Sequence, residues 1–198
     1  MPEQQTLWFK VLGADGNSIH GGTLQWSLPT RCKSGEWIAG DWHEVEGVLG
    51  RFQHPGLHIT SQPVKWYSEM CRCWIAECGD DFVECEEDKR SCRRVRLLRE
   101  ATIDELASVN IFSVGYHEIM GYTSAWASGL ASVRASGSAS VRAFDSASVS
   151  ASGSASVSNY SSDATIATPL DYAVVIDRSR NPPTIICGWQ IDHIRATA

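Results

Sequence analysis

The sequence lacks the signatures of several common protein classes. No apolar run approaches the ~18 residues that a membrane span requires, and the first ten residues, MPEQQTLWFK, contain no hydrophobic segment of a signal peptide. P-loop, GxSxG, GxGxxG and HExxH motifs are also missing. We therefore expect no membrane partner, and we expect the protein in the cytoplasm of the cell that produces it or in association with a virion.

Positive charge is scarce as well. The chain has 17 Lys and Arg residues against 23 Asp and Glu residues, for a net charge of -6. Its one basic cluster, at residues 90–99, follows an acidic run at residues 80–88, and we expect the two to neutralise each other. The sequence thus argues against nucleic acid as a partner, because no basic stripe is available for the phosphates.

Composition changes sharply near residue 122. Six of the eight tryptophans and six of the seven cysteines precede that point, whereas Ser, Ala and Val dominate the segment that follows. The change predicts an α+β domain over residues 1–122, a repeat domain over residues 123–168, and a capping hairpin with a C-terminal tail over residues 169–198. In the first domain, we expect the tryptophans in a compact core rather than in a ligand groove.

Alternation of apolar and polar residues predicts the strands of the first domain, and turn and capping residues mark its helices. One helix opens on Thr102-Ile-Asp-Glu105, which matches a capping box. The predicted strands are residues 7–12, 56–60, 73–77 and 92–98, and the predicted helices are residues 64–70 and 102–109.

The second domain is an octapeptide repeat. From residue 128 to residue 167 it reads SGLASVRA, SGSASVRA, FDSASVSA, SGSASVSN and YSSDATIA. Self-similarity at a fixed period is typical of stacked architectures. A Ser/Ala-rich flexible linker is the alternative, but the valine at every eighth position favours an all-β solenoid.

Within each repeat, small apolar residues alternate with polar ones, which is a strand pattern with the apolar side inward. Gly or Asp at positions 129, 137, 145 and 153 supplies a corner. Phe144 and Tyr160 occupy equivalent positions, so we expect 16-residue coils in a two-sheet β-solenoid of about two and a half coils. The predicted solenoid core is Ala131, Val133, Ala139, Val141, Ala147, Val149, Ala155 and Val157.

Two apolar runs, at residues 173–177 and 184–188, follow the repeat. They predict a β-hairpin that caps the unpaired edge of the last coil. Because solenoids often serve as rigid spacers or self-associating surfaces, the expected partners are other protein subunits, either copies of this chain or virion components.

Six stretches of the first domain carry a family resemblance. They are Trp8–Gly22 (WFKVLGADGNSIHGG), Leu24–Pro29, Gly35–Ile38, Val45–Gly47, Gly56–Thr60 (GLHIT) and Val95–Arg99. By these stretches, which span roughly residues 7–105, the chain resembles a protein family of actinobacteria and their bacteriophages that often ends in octapeptide repeats. The resemblance brings no established activity, and it favours a non-catalytic structural or binding protein whose solenoid mediates assembly or presents a binding surface.

A second resemblance rests on the order of three segments: a strand leading to His20–Gly22, then Gly56–Thr60 with a helix after it, and then Trp74–Glu77. This order is similar to the core of ADP-ribosyltransferases. In that fold a His-Gly pair binds NAD, an aromatic ring stacks on nicotinamide, and a later carboxylate orients the ribose.

The ADP-ribosyltransferase resemblance implies specific roles. His20 and Gly21 would bind NAD, and His58 would take the aromatic position in place of the usual Tyr. By order alone, Glu118 would be the candidate for the catalytic carboxylate. An NAD-binding or NAD-consuming enzyme is therefore the alternative function.

Cysteines and histidines offer two candidate metal sites. Five cysteines lie within residues 71–92, but their spacing lacks the paired C-x2-C knuckles of zinc ribbons, and buried thiols are the favoured alternative. Without a secretory signal, a disulfide framework is disfavoured. His43, His54 and His58 lie near Asp41, yet we expect solvated loop residues there rather than a catalytic metal. The predicted zinc ligands are Cys71, Cys73, Cys78 and Cys85, and no cofactor is expected beyond the alternatives of zinc and NAD.

Overall fold

The computed structural model describes residues 6–19, 23–51, 55–68 and 70–188. The chain divides into two compact units, one ending at Glu105 and one beginning at Leu106. None of the helices in the described ranges has the length and apolar character that crossing a bilayer requires.

The first unit is built from antiparallel strands. They are β1 (Phe9–Gly13), β2 (Thr30–Arg31), β3 (Trp37–Ile38), β4 (His43–Glu44), β5 (Leu57–Thr60), β6 (Cys71–Cys78), β7 (Phe82–Glu86), β8 (Lys89–Cys92) and β9 (Arg94–Glu100). Seven of them form one sheet in the order β4-β9-β6-β1-β5-β8-β7, and β2 pairs with β3 separately. Alternation places one side of each long strand in the core, as in β9, where Val95 and Leu97 are fully buried.

This sheet curves strongly. The strands β6 and β8 lie three places apart in the sheet order, a separation of about 14 Å in a flat sheet. Yet the Cα atoms of Cys78 and Cys92, at the ends of these strands, are only 6.2 Å apart. The curvature encloses a core that includes Leu12, Trp26 and Trp74.

The predicted strands of the first unit occur, but its described residues contain little helix, so the α+β description gives helix too much weight. A 3-10 helix at Pro63–Lys65 replaces the predicted helix over residues 64–70. The predicted helix after Thr102 does form, as α1 (Ile103–Ser108). Its capping box is complete, because Thr102 N–H donates to Glu105 Oε2 at 2.8 Å and Glu105 N–H donates to Thr102 Oγ1 at 3.3 Å.

The second unit is a β-solenoid of about four turns over residues 111–177. Its strands are β10 (Ile111–Ile119), β11 (Ser124–Ala135), β12 (Ser140–Ala143), β13 (Ser148–Ala151), β14 (Ser156–Asn159), β15 (Thr165–Ile166), β16 (Val174–Asp177) and β17 (Thr184–Cys187). Two parallel ladders run through it, β11-β12-β14-β16 and β11-β13-β15, and both include the long β11.

The register shows the predicted coil of sixteen residues through most of the solenoid. In one ladder Ser124 pairs with Ser140, and Ser140 with Ser156. In the other ladder Ser132 pairs with Ser148. The flexible-linker alternative is wrong, because each octapeptide contributes a hydrogen-bonded strand.

The solenoid core is made of small side chains. All eight residues predicted for it are at most 1% exposed, and they belong to one hydrophobic cluster. The four corner residues predicted as Gly or Asp all have positive φ angles, between 49° and 65°. Beside the core, the ring of Phe144 stacks on Trp126 at 3.9 Å and on Tyr160 at 4.8 Å between centroids.

The solenoid begins before the repeat does. The residues from Ile111 lack the octapeptide pattern, yet β10 pairs in parallel with β11, from Ile111↔Trp126 to Ile119↔Ala135. The unit boundary therefore lies between residues 105 and 106 rather than near residue 122, and the coils number about four rather than two and a half. Ile111, Phe112 and Ile119 are buried in the first coil. Because these residues are larger than the Ala and Val of the repeat, the octapeptide pattern does not reveal this coil.

The predicted hairpin closes the unit. β16 and β17 pair antiparallel, from Val174↔Cys187 to Asp177↔Thr184. β16 itself continues the solenoid, since it pairs in parallel with β14. Among the described strands of this unit, β17 alone reverses direction, and it covers the outer edge of β16.

Candidate functional site

The C-terminal end of the solenoid presents an exposed strand edge. β17 is the last strand in its sheet order, so among residues 70–188 no strand pairs with its outer edge. Its sequence, Thr-Ile-Ile-Cys, carries no charge, and all four residues are exposed. Ile185 is 65% exposed and Ile186 is 45% exposed. An uncharged, apolar edge is the kind to which another strand adds.

Other strands at the ends of the solenoid sheet are protected by length or charge. β15 has only two residues, and very short edge strands are poor templates for pairing. β10 carries Glu118, which accepts a hydrogen bond from Tyr116 Oη at 2.6 Å and lies 3.9 Å from Arg134. β17 has neither form of protection.

A cavity of about 270 Å³ lies beside β17. Its lining contains four apolar residues, Ala164, Ile166, Val175 and Ile186, and five polar residues, Asn159, Ser162, Asp177, Ser179 and Arg180. Because Ile186 belongs to both the cavity and β17, the two features form one surface. We call this surface, β17 with the adjacent cavity, the C-terminal face.

Asp177 forms hydrogen bonds and an ion pair with other polar residues that line the cavity. Its Oδ1 accepts hydrogen bonds from Ser179 Oγ at 2.6 Å, Ser179 N–H at 3.1 Å and Asn159 Nδ2 at 3.1 Å. Arg180 Nε lies 3.2 Å from its Oδ2. The Ser179 Oγ bond is the main cause that lowers the pKa of Asp177. A carboxylate with these donors is a poor proton acceptor, and its bonds to Ser179 fix the turn after β16.

The residues implied by the ADP-ribosyltransferase resemblance are distributed over the chain. His20 and Gly21 lie outside the described residues. His58 lies on β5, which pairs with β1, and its backbone carbonyl accepts a hydrogen bond from Lys10 Nζ at 3.0 Å. Glu118 lies on β10, in the solenoid unit.

Lys10 is a candidate that sequence reasoning missed, although the lone lysine in the run LWFKVL is a visible signal. Besides its bond to His58 O, its Nζ lies 4.8 Å from the centroid of the Trp26 ring. Burial, followed by the charge of Lys89, lowers the pKa of Lys10 to about 8. A carbonyl and an aromatic face stabilise this partly buried ammonium group, so we assign Lys10 a structural role.

Two of the cysteines form a disulfide, Cys78–Cys92, which corrects the expectation that disulfides are disfavoured. The physical reason is the chain path. β8 leads through Arg93 directly into β9, and β9 pairs with β6 at Cys78↔Val95. The fold thus brings together two thiols that lie 14 residues apart in the sequence.

The other predicted zinc ligands do not join Cys78. Cys71, Cys73 and Cys85 are buried thiols, and Cys71 Sγ lies 2.9 Å from Ser68 Oγ. Burial is the main cause that raises the pKa of Cys73 and of Cys85, which opposes the thiolate form that zinc binds. Within the described ranges, no three His, Cys, Asp or Glu residues converge as a metal site would require.

The ring of His43 acts as a hydrogen-bond acceptor in the fold. Its Nε2 accepts the N–H of Ser27 at 2.8 Å, and its ring lies 4.9 Å from the ring of Trp26. Burial lowers the pKa of His43, and the nearby charge of Asp41 opposes this only in part. His54, the other histidine of the candidate cluster, lies outside the described residues.

Comparisons with known proteins found no match to this chain. No protein-family model matches it, and no curated protein and no solved structure matches it either.

Proposed function

We propose that this protein is a non-catalytic structural or binding protein, of the actinobacterial or bacteriophage type, whose solenoid mediates assembly with other protein subunits. A virion component is one version of this function, and an assembly protein in the cytoplasm of the producing cell is the other. The observation that carries the proposal is the uncharged, exposed edge of β17 beside a partly apolar cavity.

The solenoid suits a scaffold that holds such a surface in place. Successive coils are joined by backbone hydrogen bonds at matching positions, for example Ser140 N–H to Thr123 O and Ser156 N–H to Ala139 O, both at 2.9 Å. Each coil thereby fixes its neighbour, so the last coil presents β17 in a defined position.

We also propose that the two ladders form two closely spaced, facing sheets. Inward residues of both ladders, such as Val141 of one and Val149 of the other, belong to the same hydrophobic cluster. Ala and Val are small, which allows the backbones to approach each other. Thin, stiff rods of this kind are typical spacers.

The assembly function is tested by placing charge on β17. Ile185→Lys adds a cation to an exposed edge position and should leave folding intact, while Ser140→Lys adds the same charge to an exposed site in the middle of the solenoid. We expect the wild type and Ser140→Lys to associate, with themselves or with a subunit captured from infected or native lysate, and we expect Ile185→Lys to lose that association. Sedimentation velocity and affinity capture measure this. Equal association of the wild type, Ser140→Lys and Ile185→Lys would overturn the proposed surface.

One observation keeps the ADP-ribosyltransferase-like function as a second candidate. The strand that carries His58 lies next to β1 in the sheet, and β1 leads toward His20 in the sequence. Calorimetry with NAD at millimolar concentration tests it directly. A binding heat that disappears in His58→Ala would support an NAD site, and the absence of any heat in the wild type would exclude one.

A further inference from the structure

We propose that β17 pairs antiparallel with β17 of a second copy of this chain, across a two-fold axis that passes beside Ile186. This inference depends on the assembly function proposed above and names its partner. Three features of the described residues carry it: the direction of the backbone groups, the chemistry of the four side chains, and the position of the cavity.

Backbone direction fixes which groups are available. Gly188 N–H donates to Ala173 O at 2.9 Å, and the same register continues along β16 and β17. In an antiparallel pair every second residue points its N–H and C=O toward a given neighbour. Ile186 and Thr184 therefore bond to β16, whereas Ile185 and Cys187 point their N–H and C=O groups outward.

The outward groups of the described residues favour one register for a symmetric pair. If Ile185 lies opposite Cys187 of the second copy, each copy donates two N–H groups and accepts two, which gives four hydrogen bonds. Ile186 then lies opposite Ile186 of the second copy, in a non-hydrogen-bonded pair. Shifting the axis to Ile185 would place Cys187 opposite Pro183, which has no N–H to donate.

The side chains are self-complementary in this register. Ile186 contacts its own copy, and Ile185 lies beside Cys187, so no charge meets a like charge. Ile186 also borders the cavity, which leaves room for the two side chains to pack. The backbone of Leu170 lies next to Gly188, and this leucine is 62% exposed.

Size and symmetry determine the expected behaviour. A four-residue strand pair with one flanking leucine is smaller than a standard protein interface, so the dimer should be weak and concentration-dependent. A two-fold pair uses the same surface on both copies and closes on itself, so association should stop at two. Pairing of β17 with another strand of a second solenoid would instead give open polymers.

Disulfide trapping tests the register. In a background of Cys32→Ser and Cys187→Ser, Ile186→Cys places two thiols in a non-hydrogen-bonded pair, whose Cα separation of about 4.5 Å suits a disulfide. Thr184→Cys is the matched control, because the two copies of residue 184 would lie about 13 Å apart along the paired strands. We expect a covalent dimer from Ile186→Cys under mild oxidation and none from Thr184→Cys. Equal trapping of both, or of neither, would overturn the register.

A proline substitution tests the backbone contribution. Cys187→Pro removes an outward N–H and leaves the bonds to β16 in place, so it should raise the dimer dissociation constant by about tenfold or more without lowering the melting temperature. Ile186→Pro removes a bond to β16 and should lower the melting temperature instead. Unchanged dimerisation in Cys187→Pro would contradict strand pairing.

The outcomes separate this inference from the assembly function. A wild type that stays monomeric at every concentration, while Ile185→Lys abolishes capture of a different protein, would exclude the second copy as partner and leave the assembly function standing. A monomeric wild type whose captured proteins do not change in Ile185→Lys would exclude both. Polymers larger than a dimer would exclude the two-fold pair.

Discussion

In the first unit, the core contains large and dissimilar side chains such as Leu12, Trp26 and Trp74, whereas the solenoid core consists mainly of Ala and Val. The surfaces differ in the same way. Among the described residues, six of the eight ion pairs and seven of the eight cation–π contacts join residues of the first unit. The first unit is thus stabilised by specific side-chain partners, and the solenoid by repetition of one small core and one backbone register.

The largest expected effect is a buried charge in the solenoid. Val141 is fully buried and lies between Ala125 and Val157 of the neighbouring coils. We expect Val141→Asp to cost more than about 4 kcal/mol, because the carboxylate has no partner there. Hydrogen exchange should show lost protection over residues 111–177 with β1 to β9 still protected, and the exposed neighbour Ser140→Asp should change little. Loss of protection in both units together would contradict independent cores.

The next effect concerns the disulfide of the first unit. Cys78 and Cys92 close a loop with a sequence separation of 14. Replacing both by Ala should destabilise this unit by about 3 kcal/mol, since the unfolded chain gains freedom. Denaturant unfolding followed by tryptophan fluorescence measures the change, with Cys32→Ser as control. If the solenoid lost equal stability, the two units would not be separate in the way their cores suggest.

A smaller effect is expected at the solenoid corners. Gly153 has a φ of 65°, and a Cβ there would lie 3.0 Å from the nitrogen of Gly137 in the coil below. Gly153→Ala should therefore cost about 2 kcal/mol, part from the left-handed backbone and part from this contact. Gly35 in the first unit has a φ of 88° with nothing within 4 Å, so Gly35→Ala should cost about half as much. Equal losses in thermal unfolding would show that coil stacking adds no constraint.

The smallest predicted effect depends on pH. The guanidinium of Arg99 donates to the carboxylate of Glu105 at 2.7 Å and 2.5 Å and is the main cause that lowers the pKa of Glu105 to about 2, from a model-compound value of 4.5. Because the folded pKa is the lower one, this stability is present above about pH 4.5 and is lost as the pH falls toward 2. Glu105→Gln should lose on the order of 1 kcal/mol at pH 7 and should lack that part of the acid dependence in pH-dependent unfolding. An acid profile identical to that of the wild type would show that the pair contributes nothing.

The sequence was informative where structure depends on local pattern. The valine period predicted the solenoid. The equivalent positions of Phe144 and Tyr160 predicted a coil length of sixteen residues, and the two rings do stack on each other. The Thr102–Glu105 capping box likewise predicted α1 correctly, because a cap needs only residues within one turn.

The sequence was less informative where distant segments meet. The order of the seven-stranded sheet and the Cys78–Cys92 bond both depend on pairings between strands that share no pattern. The C-terminal face also combines a feature that was predictable with one that was not. The apolar run of β17 predicted a hairpin, but the exposure of its outer edge beside a cavity came from the structure.

A β-solenoid of sixteen-residue coils after residue 123 follows from the repeat alone, since a repeat imposes the same short-range geometry on every copy. The start of the solenoid does not follow from the repeat, because it depends on contacts between distant segments. Ile111, Phe112 and Ile119 carry no trace of the octapeptide, and they join the solenoid because β11 offers them a parallel edge and a core to fill. The structure also showed that, within residues 70–188, the last strand of the stack is the reversed β17, whose exposed edge is the proposed assembly surface.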